Sequence, residues 1–146
     1  MPTVIGEPCL PTWRGKYPHM LAEDVPIWNT FLDQYSSLFQ RLFYDVRVGG
    51  LWPVGPNLDY KMQLMYFSTT AKRIDVVAEL TNEVWIVEVA HSPGLRVVGQ
   101  LMSYVALWYD NPGLSKPAVG VLVARSIDSD LARALQIYGL RVRLIG

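Results

Sequence analysis

Two acidic side chains stand inside apolar stretches of the sequence, and their types and spacing could support chemistry. Asp75 lies in RIDVVAEL and Glu88 lies in EVWIVEVA. A charged side chain is an unfavourable guest in an apolar strand unless a partner or a function retains it. Carboxylate oxygens are the ligands that Mg²⁺ prefers, and a bound Mg²⁺ holds a phosphate and lowers the pKa of a bound water. The two acids are therefore candidates for a metal-assisted hydrolytic site.

The elements that would position these acids follow from the spacing of apolar residues. Residues 73–80 and 83–90 are predicted strands, and the tight turn at Thr81-Asn82 joins them into a hairpin. Residues 61–68 are predicted to add a third strand, which completes an antiparallel meander. Apolar residues then recur at helical spacing from residue 98 to about residue 110. The hairpin would place both acids on neighbouring strands, directly before a helix.

The rest of the chain predicts the other layers of the fold. A helix is predicted at about residues 25–43, followed by a short strand at 44–48. A strand at 118–124, a short helix through Tyr138 and a last strand at 140–145 complete the chain. This order predicts an α/β fold of mixed (α+β) connectivity, in which a central mixed sheet is flanked by helices.

Residues 73–108 resemble the core of the PD-(D/E)XK nuclease superfamily. The resemblance rests on an acid in one strand, a turn, an acid near the end of the hairpin partner, and Gln100 on the following helix. The element order also resembles the αβββαβ core of that superfamily over residues 25–146. The resemblance implies a restriction-endonuclease-like fold and, where the site is intact, a Mg²⁺- or Mn²⁺-dependent DNA endonuclease or exonuclease.

The resemblance also implies a role for each matching residue. Asp75 matches the first acid and Glu88 the second, and both would bind the metal together with the backbone carbonyl of Val89. Gln100 matches a glutamine that some resolvase-like and exonuclease-like members carry on this helix. These residues are the predicted catalytic and metal-binding set.

The chain departs from the pattern at Ala90, which stands where the superfamily has a lysine two residues after the second acid. Alanine neither donates a hydrogen bond nor carries a charge, so it cannot orient the attacking water or offset charge on the phosphate. The nearby basic residues that could replace the lysine are Lys72, Arg73, His91 and Arg96. A basic group in the space beside Ala90 would favour catalysis, and its absence would count against it.

Composition limits the partners that the chain can have. Thirteen basic and thirteen acidic residues give no net charge, so no overall field draws the chain onto nucleic acid or a membrane. The longest apolar runs are far shorter than the roughly 20 residues that span a bilayer. No secretory signal begins the chain, and its one cysteine, Cys9, allows no internal disulfide. These features predict a soluble intracellular protein, in a host cytoplasm or in a virion if the source is viral.

The N-terminal residues 1–24 are predicted to form an extended arm, separate from a single domain over residues 25–146. The first 26 residues hold five of the ten prolines and show neither a helical nor a strand period. The chain also has five Trp, eight Tyr and four Phe, and protein interfaces are rich in aromatic residues and poor in charge. We therefore expect protein partners, as a homo-oligomer or larger assembly formed through the arm and the aromatic surface.

Two functions are compatible with these observations. The missing lysine, the neutral charge and the aromatic surplus favour a nuclease fold that has lost catalysis, needs no cofactor and serves as a structural component of an oligomer. By analogy of architecture, this could be a virion protein of the phage head-to-tail connector type. The alternative is a Mg²⁺-dependent nuclease that uses Asp75 and Glu88. A module that binds nucleic acid without cleaving it is less favoured by the charge.

Overall fold

Five strands form one mixed sheet in the computed structural model, which describes residues 2–146. The strands are β1 (Arg41–Val48), β2 (Lys72–Glu79), β3 (Val84–Val89), β4 (Ala118–Ala124) and β5 (Arg141–Leu144). The helices are α1 (Val25–Tyr35), α2 (Tyr60–Thr70), α3 (Arg96–Asp110) and α4 (Ser129–Ile137), with a 3₁₀ turn at Ser36–Leu38. With α2 inserted between β1 and β2, this order confirms the predicted αβββαβ architecture.

The spatial order of the strands follows the chain order, and the connections change along it. Strands β1, β2 and β3 are antiparallel neighbours, whereas β3–β4 and β4–β5 are parallel pairs. Parallel neighbours need a crossover, and α3 and α4 supply the two crossovers. The predicted mixed sheet with flanking helices is therefore confirmed.

The sheet buries both faces because alternate side chains of each strand point to opposite sides. On one face, Trp28 and Phe31 of α1 pack in a cluster that contains Val87 of β3. On the other face, Trp108 of α3 packs in a cluster that contains the neighbouring Ile86. Covering both faces explains why the central strands are almost continuously apolar, and why an acid within them is conspicuous.

The predicted helix at 25–43 is too long. Helix α1 ends at Tyr35, and β1 begins at Arg41. Two serines, which are only moderate helix formers, follow the helix and form the 3₁₀ turn. Leu42 contributes to the same apolar cluster as α1, but it does so from β1. Apolar spacing alone therefore did not separate the end of the helix from the start of the strand.

The predicted strand at 61–68 is wrong, because this segment is helix α2. Asp59 caps the helix by accepting the backbone N–H of Met62 at 2.8 Å. The segment is rich in Met, Gln and Leu, which favour helix, and only Phe67 of this helix is buried. Strand β1 takes the third position of the antiparallel meander instead, so the hairpin of β2 and β3 is the part of the predicted meander that is confirmed.

The segment before α1 lies against the outer edge of β1. Isolated bridges join Val4 to Arg47 and Cys9 to Leu42, and Tyr17 is buried in the α1 face of the core. Pairing with an edge strand blocks that edge from other chains. The predicted arm over 1–24 therefore packs on its own chain within residues 2–24, and Met1 lies outside the described residues. Assembly through this segment stays a prediction.

Within residues 2–146, none of the helices combines the length and the apolar character that crossing a membrane requires.

Candidate active site at the end of the β2–β3 hairpin

The hairpin register brings Asp75 and Glu88 together. The antiparallel ladder ends with Val76 opposite Val87, and the next step of this register places Asp75 opposite Glu88. Directly opposed side chains in such a pair have Cβ atoms about 5 Å apart. Beyond the last ladder pair, the backbone N–H of Val89 donates to Oδ2 of Asp75 at 3.1 Å. The two predicted acids therefore share one site, and a backbone amide orients one of them.

An irregularity in β1 lies across from the same position. Asp45 adopts a positive φ of 54° within the strand, and the ladder with β2 skips it while Tyr44 and Val46 on either side are paired. The side chain of Asp45 accepts a hydrogen bond from Nε of Arg73 at 2.7 Å. A non-glycine residue in this region is strained, and such strain clusters at functional sites.

Because its guanidinium is bonded to Asp45, Arg73 does not take the place of the missing lysine.

Both acids have carboxyl groups that resist ionisation. Asp75 is 7% exposed, and one oxygen of Glu88, Oε2, is buried without a hydrogen-bond partner among residues 2–146. Burial raises the pKa of Asp75 well above its usual range, although the bond from the Val89 amide acts in the opposite direction. Burial also raises the pKa of Glu88, and the negative charge of Asp75 adds to this effect. No counter-charge to the pair is found among residues 2–146.

No basic side chain supplies that counter-charge. Within the described residues, neither Asp75 nor Glu88 forms an ion pair. Ala90 packs beside the apolar cluster of α3 and α4, and its side chain carries no polar atom. Arg96 is exposed at the start of α3 and lines the same cleft as Glu88. Arg96 is thus the basic residue best placed to approach a bound substrate.

The site opens into a cleft of about 350 Å³. Its walls are the segment leading into α1, the end of β3, the loop at residues 90–95 and the first turns of α3. The lining residues that matter for chemistry are Asp24, Glu88, His91, Arg96 and Gln100. The structure brings the predicted Gln100 to the same cleft as Glu88, while the catalytic and metal-binding roles of these residues stay predictions.

Helix α3 adds a buried phenol to the site. Tyr104 lies one helical turn after Gln100 and is 9% exposed. Burial, and then the charges of Glu88 and Asp75, raise the pKa of Tyr104 to about 12, whereas nearby Arg96 and Gln100 lower it. The phenol is therefore protonated at neutral pH. It is a neutral hydrogen-bond donor close to both acids.

Asp24 directly precedes α1, a position where a carboxylate commonly caps a helix, but the structure gives it a different place. Its side chain makes no capping bond to α1. Instead, Oδ1 accepts the backbone N–H of His91 at 2.8 Å, and the charge of Asp24 helps to raise the pKa of both Asp75 and Glu88. Asp24 and His91 are separated by 67 positions in the sequence, so no local pattern could have revealed this contact.

The site fits a hard divalent cation that keeps part of its water shell. No group of three or more Asp, Glu, His or Cys side chains in residues 2–146 forms a closed metal cage. Mg²⁺, however, is commonly bound through one or two carboxylates with waters completing its octahedron. The unpartnered oxygen of Glu88 and the uncompensated pair that it forms with Asp75 match that requirement.

Comparison with known proteins adds likenesses of fold. No protein-family model matches the chain, and no curated protein matches it. The solved EndoMS–double-stranded DNA complex superposes with a TM-score of 0.48 at 20% identity, over 91% of this chain and 49% of that one. A repair endonuclease from Pyrococcus abyssi gives 0.48 at 17% identity, over 90% and 49%. Protein VC1899 from Vibrio cholerae gives 0.46 at 16%, over 83% and 29%. The chain thus spans about half the length of these structures or less.

Proposed function

We propose that this chain is a divalent-metal-dependent phosphodiesterase of the nuclease type, with Asp75 and Glu88 as the metal-binding acids. One observation carries the proposal: the buried Asp75 and the half-buried Glu88 lie opposite each other at the open end of the hairpin, and neither forms an ion pair among residues 2–146. This observation favours the nuclease alternative over the structural role that the composition suggests.

The argument is one of free energy. Burying a carboxylate without a partner is costly, and a second carboxylate beside it increases the cost. A domain used only as a structural unit would be more stable with apolar or amide side chains at these positions. A divalent cation turns the same pair into a favourable arrangement, because two negative groups then share one positive charge centre. A bound metal would therefore offset the free-energy cost of placing the two carboxylates side by side.

The residues of the chain have separate tasks in this proposal. A bound Mg²⁺ or Mn²⁺ would supply an activated water and polarise the phosphate. The Val89 amide holds one oxygen of Asp75 and leaves the other oxygen available. Gln100 and Tyr104 offer uncharged donors to a water or a phosphate oxygen, and Arg96 offers positive charge at the mouth of the cleft. Because Ala90 provides no positive charge, we expect turnover to be slow.

The test is a cleavage assay combined with direct metal binding. Supercoiled, linear double-stranded and single-stranded DNA are incubated with Mg²⁺ or Mn²⁺, and Mn²⁺ binding is measured by calorimetry. Asp75→Asn and Glu88→Gln should each lower cleavage by about 100-fold or more, as the loss of a central electrostatic group does in other enzymes. Asp130→Asn, an exposed acid on α4, is the matched control. A parent protein that neither binds Mn²⁺ nor cleaves any of the three DNAs would refute the proposal.

A second candidate function, as an assembly component, is favoured by one surface. The loop after β1 and helix α2 expose large apolar side chains: Leu51, Val54, Tyr60, Met65 and Tyr66. Apolar patches of this kind mark protein interaction sites. A structural subunit, including a virion connector-type protein, would use such a surface. Light scattering coupled to size exclusion should then show an oligomer that Met65→Glu with Tyr66→Glu dissociates, whereas a monomeric parent would exclude a homo-oligomer.

A further inference from the structure

Asp24 directs its carboxylate to a distant loop and not to its own helix. Its backbone is already helical, with φ −89° and ψ −23°, so the side chain is not in the extended geometry of a capping residue. Its backbone N–H donates to the carbonyl of Leu21 at 2.9 Å, which fixes the turn that leads into α1. The residue is 6% exposed. A buried carboxylate held rigidly in this way can anchor another segment.

The segment that it holds is the loop at residues 90–95, which joins β3 to α3. One end of the loop is tied to β4 by the Ala90 N–H, which donates to the carbonyl of Val123 at 3.1 Å. The other end is fixed in the first turn of α3, where the Val97 N–H donates to the carbonyl of Gly94 at 3.1 Å. Between these points, the bond from the His91 N–H to Asp24 is the one hydrogen bond to another element within residues 2–146. The loop itself is exposed and contains Pro93 and Gly94.

We propose that Asp24 is a positioning residue of the site, whose carboxylate anchors the β3–α3 loop at His91 and so fixes the two walls of the cleft relative to each other. The functional part of this inference rests on the proposed nuclease activity, while the anchoring itself does not. The first wall is the segment ending at Asp24, and the second is the loop and the start of α3 with Arg96 and Gln100.

A carboxylate suits this position better than an amide would. A bond from an N–H to a charged oxygen is stronger than one to a neutral oxygen. Asp24→Asn keeps an acceptor oxygen for the His91 N–H and removes the charge, so it separates the presence of the bond from its strength.

The anchor is tested by measuring the hydrogen-exchange rate of the His91 amide by NMR, in the parent and in the variants Asp24→Ala and Asp24→Asn. Loss of a bond to a charged group should speed exchange of this amide by about 10- to 100-fold in Asp24→Ala. Asp24→Asn keeps an acceptor oxygen and is expected to give an intermediate rate. Glu23→Ala removes the neighbouring exposed acid and should leave the rate unchanged. Unchanged exchange in both Asp24 variants would overturn the anchor.

The effect on the site is tested by kinetics of the same variants. A loosened second wall moves Arg96 and Gln100, so Asp24→Ala should raise KM for DNA by about 10-fold with a smaller change in kcat. Asp24→Asn should recover most of the KM, because it restores the bond without the charge. Faster exchange with unchanged KM and kcat would overturn the positioning role. A parent without cleavage would refute the proposed function, and exchange at His91 would still decide the anchor.

Discussion

Strand β2 carries two buried carboxylates, Glu79 at the turn end of its ladder with β3 and Asp75 one residue beyond the open end, and the two have opposite surroundings. Glu79 is 6% exposed and accepts bonds from Nε of Arg41 at 2.6 Å and from Nζ of Lys116 at 3.0 Å. Asp75 is 7% exposed and has no cation beside it within the described chain. The bond from Arg41 lowers the pKa of Glu79, and Lys116 adds to this, whereas burial raises the pKa of Asp75.

Glu79 and Asp75 are equally buried, but only Glu79 has cationic partners among the described residues. This difference distinguishes a structural acid from a candidate functional one. A buried charge that serves the fold is paired within the protein, as Glu79 is. A buried charge that lacks a partner either costs stability for no gain or awaits a ligand. Strongly perturbed carboxyl groups in a cleft are for this reason good markers of functional sites. Changes of side chain, metal and pH test this difference between Glu79 and Asp75, and the variant with the greatest predicted effect comes first.

Supplying a cation beside Asp75 and Glu88 should give this end of the hairpin the kind of partner that Glu79 has at the other end. Ala90 directly follows β3 and lines the same cleft as Glu88, so Ala90→Lys would place an ammonium close to that acid. We expect metal-dependent cleavage to rise by about 100-fold, the size of one central electrostatic contribution. The measurement is the single-turnover rate on linear DNA, with Ala90→Gln as a control of similar length without charge. Equal rates for the Lys and Gln variants would contradict the electrostatic reason.

Neutralising each carboxylate in turn should have opposite effects on stability. Glu79→Gln weakens two charged hydrogen bonds, and we expect the free energy of unfolding to fall by about 2 kcal/mol, in the range for bonds to charged groups. Asp75→Asn removes an uncompensated charge, so in EDTA it should leave stability unchanged or raise it by up to about 1 kcal/mol. Urea unfolding followed by tryptophan fluorescence measures both. Similar losses for the two variants would show that Asp75 has an unrecognised structural partner.

A divalent metal should stabilise the folded protein only through Asp75 and Glu88, and not through Glu79. Ligand binding to the folded state stabilises it by about 2.7 kcal/mol when the free ligand is 100 times its Kd. We therefore expect Mn²⁺ to raise the Tm of the parent and of Glu79→Gln. The Tm of the double variant Asp75→Asn with Glu88→Gln should not change. A shift that survives in the double variant would place the metal elsewhere.

The two ends should also respond to pH with opposite signs in the absence of metal. The folded pKa of Asp75 and Glu88 is raised, so the folded state binds more protons than the unfolded state, and stability falls as pH rises above about 4. The folded pKa of Glu79 is lowered, so its stabilisation is present above about pH 4.5 and is lost as pH falls. The slope is at most about 1.4 kcal/mol per pH unit for each proton. Unfolding curves from pH 4 to 8 in EDTA should show the steepest decline in the parent, a smaller one in Asp75→Asn, where Glu88 remains, and the smallest in Asp75→Asn with Glu88→Gln.

The sequence was sufficient for the hairpin that carries the two acids. Two short, almost continuously apolar runs on both sides of Thr81-Asn82 predict neighbouring strands, and the tight turn between them predicts a hairpin. It was not sufficient for residues 60–70, because Met, Leu, Tyr and Phe at these spacings suit either a strand or a helix that is buried at one residue only. There the Asp59 cap and the pairing of β1 with β2 decided the outcome.

From the sequence it was possible to predict that Asp75 and Glu88 lie on adjacent strands, that Gln100 follows on a helix, and that Ala90 stands where a lysine was expected. Which charged side chains contact one another depended on the folded structure. It assigned Arg73 to Asp45, assigned Arg41 and Lys116 to Glu79, and brought Asp24 to His91 across 67 residues. Local patterns follow from backbone geometry within a few residues of the chain. The balance of charge at a site depends on long side chains from several elements, and their positions exist only once the sheet and helices have packed together.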